Sequence, residues 1–147
     1  MTIDPRPILI AFGDLVKFDP RLKADYVYSS LMAAEKWLVS QRRNCLVPGA
    51  PIMFYQNRLG FVGTAAIAQV AQTSSADSTA CPGLPLKLFP YRISLEKIRV
   101  FPRPIDCRPL IADLTFIKNK KSWGLAFMGT PRLIPKGDFG RIVKAKG

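Results

Sequence analysis

Three lysines, Lys118, Lys120 and Lys121, stand between an apolar run and Trp123 in residues 109–134. The apolar side of this junction carries Leu110, Ile111, Leu114, Phe116 and Ile117, and Arg132 follows on the other side. Cations beside an aromatic ring suit a ligand that carries both phosphates and bases: the charge faces the backbone and the flat ring faces the base. Asn119 and Ser122 lie among the lysines and offer side-chain groups able to hydrogen-bond a base edge. The same residue types also describe a solvated turn beside a core anchor. Residue types alone leave both readings open.

Other chemistries are excluded more sharply. The chain has no histidine, which removes the commonest general base near neutral pH, the Ser-His and Cys-His nucleophile pairs, and every His-containing metal site. Ten carboxylates remain, and no two have a spacing that marks a catalytic or metal-binding pair. Neither GxxxxGK[ST] nor GxGxxG occurs, so no phosphate loop of those types is expected. Cys45, Cys81 and Cys107 are odd in number and scattered, as reduced thiols of a cytoplasmic protein would be. A binding protein is expected rather than an enzyme, with no catalytic residue, no metal and no cofactor.

The 147 residues carry 22 Lys and Arg against 10 Asp and Glu, a net charge of +12. Such a field attracts polyanions, nucleic acid first. No run is long enough to cross a bilayer, and no basic amphipathic helix favours a membrane surface. The N-terminal stretch, with Asp4 ahead of its apolar run, lacks the pattern of a secretory leader. At 48% hydrophobic content one folded domain over residues 1–147 is expected, large enough to bury a core.

The elements that would position these groups follow from patterning. Residues 7–12 read as a buried strand. Ser29 and Ser30 are placed to cap a helix running to about Arg43, with Leu31, Ala34, Leu38 and Cys45 inward, Trp37 packing beside that stripe, and Arg42 and Arg43 on a solvated shoulder. Residues 51–56 and 61–71 form a hairpin across Asn57–Gly60, and the second strand, apolar on both faces, belongs inside the sheet. Residues 72–85, rich in Ser, Thr, Ala, Pro and Gly, read as a mobile loop. A long strand over residues 89–101 changes phase near Glu96 and Lys97, which calls for a β-bulge, and ends at Pro102 and Pro104. Then come a helical turn over 108–116, a strand at 125–128 continuing at 132–134, and a closing helix over 138–144. The expected fold is α+β: a small, mostly antiparallel β-barrel of five or six strands, closed or nearly so, flanked by helices.

Three blocks of the sequence, FPYRISLEKI at 89–98, RPLIADLTFIKNKKSW at 108–123 and GTPRLIPKGDFGRI at 129–142, resemble the EVE domain of the PUA-like superfamily. Upstream, PGAPIMFYQN and GFVGTAAIAQV resemble that family's Tyr-bearing strand and Val-Gly strand, so the resemblance spans residues 48–142. It departs from the family in the first strand, PILIAF, which has no Trp, at Val27-Tyr28-Ser29, and at Ala50 in place of an acidic residue. The resemblance implies the same barrel and a pocket for one modified or flipped nucleotide of DNA or RNA, with stacking walls and a few polar groups on the base edge. Carried onto this chain, it implies Trp123, Tyr55 and Tyr28 as walls, Asn119 and Ser122 as base-edge groups, and Lys118, Lys120, Lys121 and Arg132 as phosphate contacts. The alternatives are a small enzyme or accessory subunit acting on nucleic acid or nucleotides, and a basic adaptor for an acidic protein.

Overall fold

Two nearly continuous apolar runs, Ile8–Phe12 (β1) and Pro51–Gln56 (β3), lie side by side and parallel in the computed structural model, which describes residues 5–145. Of the stretch read for a leader, residues 1–4 with Asp4 lie outside the described residues. Strands without a polar face must be covered on both sides. Alternation sends Ile8, Ile10, Ile52 and Phe54 into one buried cluster and Leu9, Met53 and Tyr55 into another. Val27, Tyr28 and Leu31 of α1 (Ala24–Ala33) complete the first cluster. Leu114, Phe116 and Phe127, with Ile142 of α2 (Lys136–Ala145), complete the second.

With β2 (Lys36–Val39), β4 (Gly60–Gln72), β5 (Tyr91–Ile105) and β6 (Arg132–Leu133), the order across the sheet is β2-β5-β4-β3-β1-β6. Every pairing except β1–β3 is antiparallel. The α+β class and the mostly antiparallel pairing are as expected; closure is not. The sheet is an open six-stranded one whose outer strands, β2 and β6, do not pair with each other. The two residues of β6 sit between Pro131 and Pro135, which have no N–H to extend a ladder.

The bulge is where the phase change put it. Lys97 has φ 53°, and the register steps from Ala66↔Glu96 to Thr64↔Arg99. Pro102 and Pro104, however, do not end β5, which runs on to pair Ile105 with Phe61. Beyond Ser94 no strand among the described residues lies on the far side of β5, so the prolines need no ladder partner there.

The helix expected from Ser29 to Arg43 is also corrected. It starts at Ala24, whose N–H is held by the Asp14 carboxylate at 2.7 Å, and ends by Ala33. Glu35 then takes φ 57°, and Trp37, Leu38 and Val39 turn into the sheet opposite Ile93, Arg92 and Tyr91. The expected strand at 125–128 is instead a 3₁₀ turn, Trp123–Phe127, that drives Phe127 into the second cluster against Tyr55.

Candidate functional site

Four aromatic rings gather where β1 ends, beside β2 and α1. Phe12 stacks on Tyr28 with centroids 5.3 Å apart and planes 11° apart, and meets Trp37 edge-on at 5.1 Å. Phe54 backs both, 5.6 Å from Tyr28 and 5.0 Å from Trp37. In front of this cluster lies a cavity of about 240 Å³ whose lining includes Phe12, Trp37, Leu84, Phe89, Pro131 and Leu15. Its size is below the range of drug-sized sites and suits one small ring system. Ser40 and Thr130 supply the hydroxyls of the lining, Gly13 brings backbone to its edge, and no ionisable side chain lines it. Such a site can stack a flat group and hydrogen-bond its rim; it holds no group for proton transfer.

Two of the walls come from a loop that the sequence marks as mobile and the structure ties down. Residues 73–90 form a loop whose ends are tied together: at its neck the Thr73 hydroxyl donates to the Phe89 carbonyl at 2.5 Å and the Thr73 N–H to Pro90 O at 2.8 Å. Inside it, Asp77 is fully buried and accepts from Lys36 Nζ at 2.8 Å, the Ser74 N–H at 2.8 Å and Arg92 Nη1 at 3.3 Å. Burial alone would raise the Asp77 pKa; the Lys36, Ser74 and Arg92 hydrogen bonds outweigh it and hold the carboxyl below its ordinary value. Cys81, fully buried, anchors the loop to the first cluster, so Leu84 and Phe89 are held against the cavity. On the opposite side the Thr130 hydroxyl accepts the Ala11 N–H at 3.1 Å and fixes the turn that carries Pro131.

Tyr28, expected as a wall, stands one layer behind. It is buried behind Phe12, burial pushes its hydroxyl up to about 12, and that hydroxyl has no hydrogen-bond partner among the described residues. It points at Gly63, where a Cβ would meet both the Tyr28 hydroxyl and the Arg99 carbonyl, so only glycine fits there without displacement.

Tyr55 and Trp123 lie in the second cluster, on the other face of the sheet, and so do not share a cleft with Tyr28. The Tyr55 ring is 5% exposed, stacked on Phe127 at 4.0 Å, and its hydroxyl is raised to about 12 by burial first, with small contributions from Cys107 and Asp106. Trp123 is half-buried and meets Phe127 edge-on at 6.1 Å. The two rings bracket Phe127 instead of facing an empty slot. β-Strand alternation accounts for the separation: Phe54 and Tyr55 are neighbours in sequence and face opposite sides.

The basic segment divides by role. Lys120 folds back and donates to Ile111 O at 2.8 Å and Leu114 O at 2.9 Å, closing the turn that follows β5. Asn119 Oδ1 accepts the N–H groups of Lys121 and Ser122, an Asx turn. Lys118 and Lys121 are exposed. Lys118, Asn119, Ser122 and Arg132 share a second recess of about 250 Å³. Sequence reasoning therefore found a true side-chain cluster on one face and missed the aromatic cavity on the other. The available signals were Phe12 against Gly13, and Phe89 closing the long loop. Arg42 and Lys87, both exposed, lie two residues from the cavity-lining Ser40 and Phe89.

No family model matches the chain. A UPF0310 protein of Pyrococcus horikoshii is 42% identical over 57 residues, which span 38% of this chain and 38% of that protein. A UPF0310 protein of Pyrococcus abyssi is 33% identical over 101 residues, 63% of this chain and 70% of that protein. Among solved structures, a mutant of the ASCH protein of Zymomonas mobilis superposes with a TM-score of 0.59 over 97% of this chain and 98% of its own, at 14% identity. A Pseudomonas putida protein gives 0.54 over 96% and 99%, also at 14% identity. At such identities the shared feature is the fold.

Proposed function

Since the chain belongs to the UPF0310 family and has the fold of the ASCH protein, a PUA-like one, we propose that it binds nucleic acid and seats one planar base in the cavity between Phe12, Trp37 and Phe89. The observation that carries the reading is that cavity: three aromatic rings, no ionisable lining group and a volume of about 240 Å³. A base in it would be taken out of its stack, so single-stranded or mismatched nucleic acid should bind ahead of intact duplex. Ser40, Thr130 and the backbone at Gly13 are the groups able to meet its edge.

The net charge of +12 supplies the long-range attraction. Arg42 and Lys87, exposed cations two residues from the cavity-lining Ser40 and Phe89, would take the flanking phosphates; Lys118 and Lys121 serve the opposite face. The resemblance to EVE domains supports the finer reading, a modified base. A base methyl would lie against Leu15, Val27 or Leu31 at the cavity wall and add about 0.8 kcal/mol by area.

Tryptophan emission tests the proposal. Trp123→Phe leaves Trp37 as the sole tryptophan, and stacking of a base on Trp37 should quench it saturably. Short single-stranded RNA and DNA, with and without base methylation, are titrated at low and moderate salt. Emission that stays constant while binding is seen by anisotropy would place the bound strand elsewhere.

A further inference from the structure

The recess on the opposite face of the sheet has a composition that specifies its ligand. Phe116, Leu125 and Ala126 form its apolar part, and Lys118, Asn119, Ser122 and Arg132 form the rest. Asn119 has already spent its carbonyl oxygen on the Lys121 and Ser122 N–H groups, which leaves its Nδ2 as a donor. Arg132 lies over the Phe116 ring at 5.8 Å and gives one Nη1 hydrogen bond to Ala126 O at 3.2 Å, so its guanidinium is held in place with its other N–H groups unspent among the described residues. Lys118 makes no ion pair among the described residues, and no carboxylate lines the recess. The charged and amide groups around it, an ammonium, a guanidinium and an amide nitrogen, can only donate, and the Ser122 hydroxyl can.

We infer that this recess is a binding site for a phosphate oxyanion, held by Lys118 and Arg132 with Asn119 and Ser122 completing the donor set. A fixed guanidinium, a flexible ammonium and neutral donors match the several acceptor oxygens of one phosphate group. The buried Phe116 ring, with Arg132 lying over it, gives the recess an apolar floor that holds the guanidinium in position. The inference does not depend on the aromatic cavity, which lies across the sheet, and one site can be filled while the other is empty.

The test uses inorganic phosphate first. In a ¹⁵N-labelled protein, phosphate should shift the signals of Asn119, Ser122 and the Arg132 side chain along one saturable curve. Lys118→Gln, an exposed change that leaves the Arg132 contacts intact, should weaken that curve about tenfold, as loss of one charge-assisted hydrogen bond does. Lys97→Gln, an exposed lysine outside the recess, should not change it. Shifts that never saturate, that spread over all exposed lysines, or that survive Lys118→Gln would overturn the site. Short oligonucleotides with a 5′-phosphate or a 5′-hydroxyl then assign the source. Preference for the phosphorylated end, lost in Lys118→Gln, identifies a terminal monoester. Equal binding of both, weakened alike in Lys118→Gln, identifies the backbone diester.

Discussion

Replacing Asp77 by asparagine tests whether the loop over residues 73–90 is held in place by one carboxylate. Asp77 is fully buried and accepts from Lys36, Arg92 and the Ser74 N–H at 2.8–3.3 Å. The amide introduced by Asp77→Asn would keep one acceptor and turn an NH₂ toward groups that only donate. Removing one member of a buried ion pair costs roughly 3–5 kcal/mol. Here the side chains of Lys36 and Arg92 are 20% and 26% exposed, so both can recover water and the loss should be lower, about 2–3 kcal/mol. The pH dependence has a definite sign. Asp77 is held below its ordinary value in the folded protein, so its contribution is complete above about pH 4 and disappears as the pH falls through the lower folded value. Urea unfolding at neutral pH reads the loss, and repeating it toward pH 3 should show the wild type converging on Asp77→Asn. Proteolysis within residues 73–90 should speed up in the variant. A variant within about 0.5 kcal/mol of wild type at neutral pH, the range of ordinary surface changes, would refute the anchoring role.

The other predictions concern single side chains. Tyr28→Phe removes a buried hydroxyl that has no partner among the described residues and should raise stability by up to about 1 kcal/mol in thermal melts, whereas Gly63→Ala should lower it by roughly 1–3 kcal/mol through overpacking. Ultraviolet titration should show Tyr28 and Tyr55 ionising near 12; because burial raises these values, the stability they confer is complete below about pH 10 and is lost as pH rises through the folded value. Lys120→Ala should reduce stability by about 1 kcal/mol by uncapping Ile111 and Leu114. Replacing Lys118 and Lys121 together should leave the melt unchanged and flatten the salt dependence of oligonucleotide binding.

The strands were legible because burial is written in their composition. ILIAF and PIMFYQ have no polar face to misassign, and the shift from Leu95 to Ile98 parity located the bulge at Lys97. The helix boundary was not legible, since Leu31, Ala34 and Leu38 keep helical spacing across Glu35, where the chain actually turns. What ends the helix is a tertiary demand: Trp37 and Val39 pack in the sheet beside β5. The Ser- and Thr-rich loop looked mobile because its one acidic residue finds its cationic partners at Lys36 and Arg92, 41 and 15 positions away. For the site, residue types found the donor cluster around Lys118 and Arg132 because it is nearly contiguous. The aromatic cavity escaped because Phe12, Trp37 and Phe89 come from three elements, and a tryptophan on an apolar stripe reads as core. Trp37 is in fact both, 5% exposed and lining the cavity.

Phe89 offers the most direct test of base binding, because its half-buried ring closes the cavity from the loop and its removal spares the Phe12–Tyr28–Trp37–Phe54 cluster. Affinity for a short single-stranded oligonucleotide is measured at fixed low salt on wild type and Phe89→Ala, with thermal melts on the same samples. Loss of a stacking ring should weaken binding by about 1–3 kcal/mol while the variant remains folded and its salt dependence is unchanged. A folded Phe89→Ala that binds with wild-type affinity would contradict the assignment of the cavity as the base site.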